Sequence, residues 1–214
     1  QDPLAEPSLP LYPAMPHLRR ELARLKEYHQ VAEIGEIARR YFAMNSFDGI
    51  LTILGVLTGN FLARVSDPTV IVLTGLTTSV SMAVSGLWGA YLTESAERQR
   101  GLDDLEEHTL SDLSGTRIGR AARVAVAVVA LVDGLAPLLA SVLVLLPFFL
   151  TSLWGSITIS YYLAGGIALL ALFVLGAFLG RISRQNILVA GVKMILAGLA
   201  AVVLSYLMEH LVHP

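Results

Sequence analysis

The chain has no cysteine, which excludes a disulfide framework, a thiolate metal site and a cysteine nucleophile. Charge is scarce too: 15% of the 214 residues are charged, 7% are aromatic, and the formal net charge is −2. A balance this close to neutral offers no bulk attraction to nucleic acid, so no nucleic-acid partner is expected. The motifs of soluble catalysis are also missing. There is no phosphate-cradling glycine loop with its lysine and no Gly-x-Ser-x-Gly elbow, so neither an enzyme nor a tightly bound cofactor is expected. The opening residues, QDPLAEPSLPLYPAMP, lack the basic stretch and apolar run of a secretory signal.

Apolar surface is what the chain has in excess. Hydrophobic residues make up 55% of it and the mean hydropathy is +0.66, a composition that points to lipid rather than to a soluble core. Five apolar stretches run over about 42–63, 69–93, 121–150, 159–180 and 187–211. Each is near or above the ~20 residues that a helix needs to cross ~30 Å of hydrocarbon. The third carries Pro137 and Pro147, which predict a kink or an early end. Gly75, Ser79, Ser81, Ser85, Gly86 and Gly89 crowd the second, and small residues let helices approach closely in lipid. The expected fold is therefore an all-α integral membrane bundle of five transmembrane helices.

Outside the spans, residues 1–16 carry prolines at 3, 7, 10, 13 and 16, which favours an extended arm. Residues 17–41 read as an amphipathic helix, with Leu18, Leu22, Leu25, Tyr28 and Ala32 recurring at helical steps between basic residues. The membrane domain covers 42–214, including a helical loop at 94–120 whose first half, ESAERQRGLDDLEEH, should extend the second helix beyond the bilayer. Of the fifteen basic residues, those outside the spans cluster in the N-terminal segment, in 94–123 and at 181–184, leaving only Arg64 on the opposite side. The positive-inside rule then predicts a cytoplasmic N-terminus and an external C-terminus, with a prokaryotic cytoplasmic membrane as the expected location.

Polar side chains inside a membrane are costly and point to function. Asp48 lies early in the first span, Asp133 about ten residues into the third, ~15 Å deep at helical rise, and Lys193 one to two turns into the fifth. Each acid precedes a glycine, a hint of similarity between the first and third spans. The two carboxylates suit cation or proton sites in a transport path; alternatively, one of them neutralises Lys193 and locks the bundle. On the helical extension, Glu94, Glu97, Asp104 and His108 share one face. Their oxygen and nitrogen donors suit Fe²⁺, Mn²⁺ or Zn²⁺, although a solvated face balanced by Arg98 and Arg100 would look the same. His29, Glu33 and Glu36 have similar spacing, more simply read as surface ion pairing, and His210 and His213 read as interfacial.

Three segments carry a family resemblance. DGILTILGVLTGNF (from Asp48), GLTTSVSMAVSGLWGAYLTESAERQR (from Gly75) and DGLAPLLASVLVLLPFF (from Asp133) resemble the opening, second and third spans of the vacuolar iron transporter family. Its members are dimeric five-helix carriers that exchange Fe²⁺ or Mn²⁺ for protons. The resemblance covers 47–149, and the last two spans match in number and length only. It implies a homodimer in a lipid bilayer that transports Fe²⁺ or Mn²⁺, with Asp48 as the pore ligand and the first two helices near the axis. Asp133 would be a second cation or proton site, and Glu94, Glu97, Asp104 and His108 a receiving or release site. The family's pore methionine falls on Gly86 and a glutamate on Ala90; Met82, one turn earlier, is the candidate substitute. These departures keep open a non-transporting scaffold or lipid-interacting protein with the same fold.

Overall fold

A computed structural model describes residues 34–110 and 112–212. The proline-rich arm, the 17–33 part of the expected amphipathic helix with His29 and Glu33, and His213 lie outside the described residues. The regular structure of the described residues is entirely helical, in the order α1 (Ile34–Leu62), α2 (Pro68–Thr109), α3 (Arg117–Phe149), α4 (Thr151–Trp154), α5 (Ile157–Ile182) and α6 (Ile187–Val212). All but α4 are long and apolar enough to cross a membrane. Large apolar side chains such as Leu73, Val84, Trp88, Leu139, Leu170 and Leu188 stand exposed, which only a hydrocarbon surround tolerates over so wide a surface. The protein is a membrane-embedded helical bundle.

Short links reverse the chain between helices, so the charged residues segregate by end. Arg39, Arg40, Arg98, Arg100, Arg117, Arg120, Arg123, Arg181 and Arg184 gather at one end, called the basic end below, and Arg64 lies at the other. Residues 34–41 enter the first apolar stretch without a break in α1. The second helix extends through Glu94–His108 as its sequence suggests, reaching 42 residues, or about 63 Å at 1.5 Å per residue, twice the hydrocarbon thickness.

Local chemistry sets the helix ends. Asp67 caps α2, its carboxylate accepting from the Thr69 amide at 2.8 Å, with Pro68 in the first turn. α2 stops at Leu110, whose left-handed φ of 51° turns the chain. The link to α3 is then tied down by side chains. Glu106 accepts from the Leu113 amide at 2.6 Å, and Arg123 donates to the Ser114 carbonyl at 3.2 Å. Asp112 accepts from both the Ser114 hydroxyl and its amide, bonds that hold its carboxyl below the usual carboxylate range. α3 passes through both Pro137 and Pro147 and ends at Phe149, at the end of its apolar stretch, so neither proline ends it early. The Ser160 hydroxyl donates to the Pro147 carbonyl at 3.1 Å, satisfying an oxygen that the helix end leaves open.

The apolar core lies toward the end opposite the arginines. Ile53, Leu54 and Leu57 of α1, Ile71 of α2, Val144, Leu145 and Phe148 of α3, and Ala168 and Leu172 of α5 meet there. α1 packs most extensively against α3 and also touches α2, α5 and α6; α2 lies along α3, and α5 along α6. Backbones come close where a side chain is missing. A Cβ on Gly49 would sit 2.6 Å from the Pro137 carbonyl oxygen, and one on Gly134 would sit 2.7 Å from the Ala83 carbonyl oxygen.

Gly49→Ala should therefore lower stability by about 1–3 kcal/mol, read as a fall in thermal midpoint in detergent. Gly59→Ala, at a site with nothing within 4 Å, should hold the midpoint or raise it slightly, since alanine is the better helix former. Equal shifts in the two variants would refute the close packing of α1 on α3.

Candidate functional site

Tyr41, Asn45 and Asp48 stand at positions i, i+4 and i+7 of α1 and share one face. That face meets α2 and α3 in a polar seam that runs inward from the basic end. Arg98 Nε donates to Glu94 Oε2 at 3.4 Å, and the Tyr41 hydroxyl donates to Glu94 Oε1 at 3.3 Å. Asn45 continues the chain: its amide nitrogen donates to the Tyr41 carbonyl at 2.9 Å and to Asp133 Oδ1. Glu94 and Asp133 are buried, at 7% and 8% exposure. Burial of two carboxylates in an apolar bundle is tolerable only because each is held by donors. No buried side-chain nitrogen or oxygen among the described residues lacks a partner.

Asp133 is placed by its own helix. Pro137, four residues on, has no N–H to bond back to the Asp133 carbonyl, so that oxygen lacks its usual helical donor. It faces α2 at Gly86, where a Cβ would lie 3.0 Å from the carbonyl oxygen and 3.1 Å from Oδ2. A side chain there would need the Asp133 backbone to give by a few tenths of an ångström. Asp48 is exposed on the flank of the seam, one turn beyond Asn45 on the same face of α1. The Asp133 carboxylate, the Asn45 amide and a backbone carbonyl thus meet where α1, α2 and α3 cross, with Asp48 beside them.

Among the residues that the sequence singles out, the seam links Asp133 to Glu94 through Asn45 and Tyr41, and Asp48 lies exposed on its flank. Met82 is half-buried on α2, one turn before Gly86. Glu97 is exposed and, with Arg40, Arg98 and Leu102, borders a cavity of about 430 Å³ at the basic end. Asp104 and His108 are exposed, and His108 Nδ1 lies 2.6 Å from the Asp104 carbonyl, so the two meet through backbone rather than through the carboxylate. Glu94 turns in toward Tyr41 while the other three face outward. Among the described residues no three His, Asp or Glu side chains converge as a metal-holding group.

The expected pairing of an aspartate with Lys193 is not formed. Lys193 is exposed and has no carboxylate partner among the described residues, because α6 packs on α5 and α1 and Asp133 takes Asn45 instead. The lysine stem is long enough to carry its ammonium toward the nearer interface. Tyr41 and Asn45 are the residues that sequence reasoning missed. Their signal was the helical spacing to Asp48, hidden because Tyr41 sat at an assumed boundary between a surface helix and the first span.

Asn45→Ala removes the donor to a buried carboxylate and should cost about 1–3 kcal/mol of stability. Lys193→Met should change it by less than about 0.5 kcal/mol. Both follow from unfolding in detergent; a larger loss from Lys193→Met than from Asn45→Ala would restore the lysine pair.

No protein-family model matches the chain, and no solved structure matches it. A curated relative does. Over 178 residues the chain is 32% identical to the uncharacterized protein MJ0645 of Methanocaldococcus jannaschii, an alignment that spans 82% of this chain and 90% of the relative. The chain belongs to the family of that protein.

Proposed function

We propose that the protein transports a divalent metal cation, Fe²⁺ or Mn²⁺, as a homodimer in a prokaryotic cytoplasmic membrane, with the basic end in the cytoplasm. The observation that carries this reading is the seam: Asp133 and its carbonyl oxygen, which lacks its helical donor, lie inside an apolar bundle, with Asp48 exposed on the flank. The chain Asn45–Tyr41–Glu94–Arg98 leads from them toward the basic end. Adjacent carboxylates in low dielectric repel, and a cation between them removes that cost. Oxygen donors of this kind suit Mn²⁺ and Fe²⁺. Protons exchanged at the same carboxylates would supply coupling.

The resemblance to the vacuolar iron transporter family supports the same reading, with Asp48 at the pore position. Dimer formation has its own support. Thr77, Ser81, Ser85 and Gly89 form an exposed stripe on α2 at four-residue steps. The Thr77 and Ser81 hydroxyls donate to their own helix, at 2.8 and 3.0 Å, so the stripe is smooth and carries little unmet polarity. Such stripes pair helices in lipid. One chain alone brings no three His, Asp or Glu side chains together among the described residues.

That shortfall, with Gly86 and Ala90 at the family's methionine and glutamate positions, favours a second reading, a non-transporting scaffold on the same fold. Calorimetry with Fe²⁺, Mn²⁺, Zn²⁺ and Mg²⁺, followed by flux into reconstituted vesicles, separates the two. Asp48→Asn and Asp133→Asn should each weaken Fe²⁺ or Mn²⁺ affinity and flux by about 100-fold, while the asparagine at 133 keeps an acceptor for Asn45. Undiminished flux in both variants would sink the transport mechanism, and a wild type that binds no metal would select the scaffold.

A further inference from the structure

A second feature lies on the other side of α1, away from the seam. Between α1, α3 and α5 runs an open apolar groove of about 640 Å³, bordered by Phe42, Ala140, Leu143, Leu170 and Phe178, with Ser46 its one polar lining residue. Its lining on α5 spans Ile167 to Phe178, about 16 Å at helical rise. Its length and apolar lining suit an extended acyl chain.

The end of the groove nearest the arginines is charged. Arg39 precedes Phe42 by three residues on α1, and Arg181 follows Phe178 by three on α5. Each therefore sits on its helix's groove side, about 4.5 Å beyond the last lining ring. Both are exposed, and neither guanidinium has a hydrogen-bond or carboxylate partner among the described residues. Apolar walls ending in two unpaired cations match an acyl chain ending in a phosphate. We propose that this groove is a binding site for an anionic phospholipid, its tail between α1, α3 and α5 and its phosphate on Arg39 and Arg181. The proposal does not rest on metal transport.

Native mass spectrometry of the purified protein with phosphatidylglycerol and phosphatidylcholine of identical acyl chains tests this. The wild type should retain phosphatidylglycerol preferentially. Arg39→Gln and Arg181→Gln should each reduce that preference roughly fivefold, with unfolding in detergent unchanged. Ala140→Phe, which fills the groove, should lower retention of both lipids; Leu170→Phe serves the same purpose if Ala140→Phe does not fold. Equal retention of the two lipids by the wild type, or a preference that survives both arginine substitutions, would overturn the proposal. So would groove filling that dissociates a dimer while lipid retention stays, since the occupant would then be a second copy.

Discussion

The arrangement depends on how closely α3 approaches α1 and α2 around Asp133 and Pro137. Hydrophobic burial does not hold membrane helices together in lipid, whose tails are as apolar as leucine, so contact quality must do it. Here quality comes from missing atoms. Gly49 lets α1 reach the Pro137 backbone, Gly134 lets α3 reach Ala83 and Leu87, and Gly86 lets α2 reach Asp133. Ser141 reinforces the crossing, its hydroxyl lying 2.7 Å from the Pro137 carbonyl and 3.3 Å from that of Gly49. A Cβ at any of these glycines would force the neighbouring backbone or side chain to shift, which would loosen the crossing around Asp133.

The same crossing explains why a polar seam persists in an apolar bundle. A buried carboxylate without donors is among the most costly features a membrane protein can carry. Asn45 meets that cost directly, and its own position is fixed by the Tyr41 carbonyl one turn back. Tyr41 in turn faces Glu94, which Arg98 holds from the same helix. Each link positions the next, so the geometry at Asp133 depends on residues as far as Arg98, about three turns of α2 beyond Gly86 toward the basic end. An ion path needs this kind of preorganisation, because ligands that must reorder for each cation bind it weakly.

Much of this was legible in the sequence, for reasons that differ by feature. Hydropathy over windows of 20 residues located the five long helices to within a few residues at most ends, since lipid punishes any error in apolar length. The polar run ESAERQRGLDDLEEH was recognisable as helix because nothing in it breaks one. The paired Asp-Gly dipeptides also carried a signal: Gly49 and Gly134 are both close-contact glycines, and each sets the acid before it beside a helix crossing. What stayed hidden was partner choice. Lys193 and Asp133 looked complementary in a list of intramembrane charges, yet pairing is decided by which helices touch, and α6 packs elsewhere. Asn45 was passed over because an amide carries no charge, although it supplies the only side-chain donor that Asp133 has among the described residues.

α1 is the element that ties the two candidate sites together. Tyr41, Asn45 and Asp48 occupy one of its faces, while Phe42, Ser46 and Ile50, displaced around the helix, line the groove. A helix is stiff across its diameter, so a shift that widened the groove would move the other face by a similar amount. Hydrogen bonds tolerate a few tenths of an ångström before they weaken steeply. The bonds at Glu94, already 3.3 and 3.4 Å long, would be the first lost. A tail lodged between α1, α3 and α5 would therefore favour the α1 position that keeps the seam closed. The same logic runs in reverse, because occupancy of the seam would favour the α1 position that the groove's occupant fits.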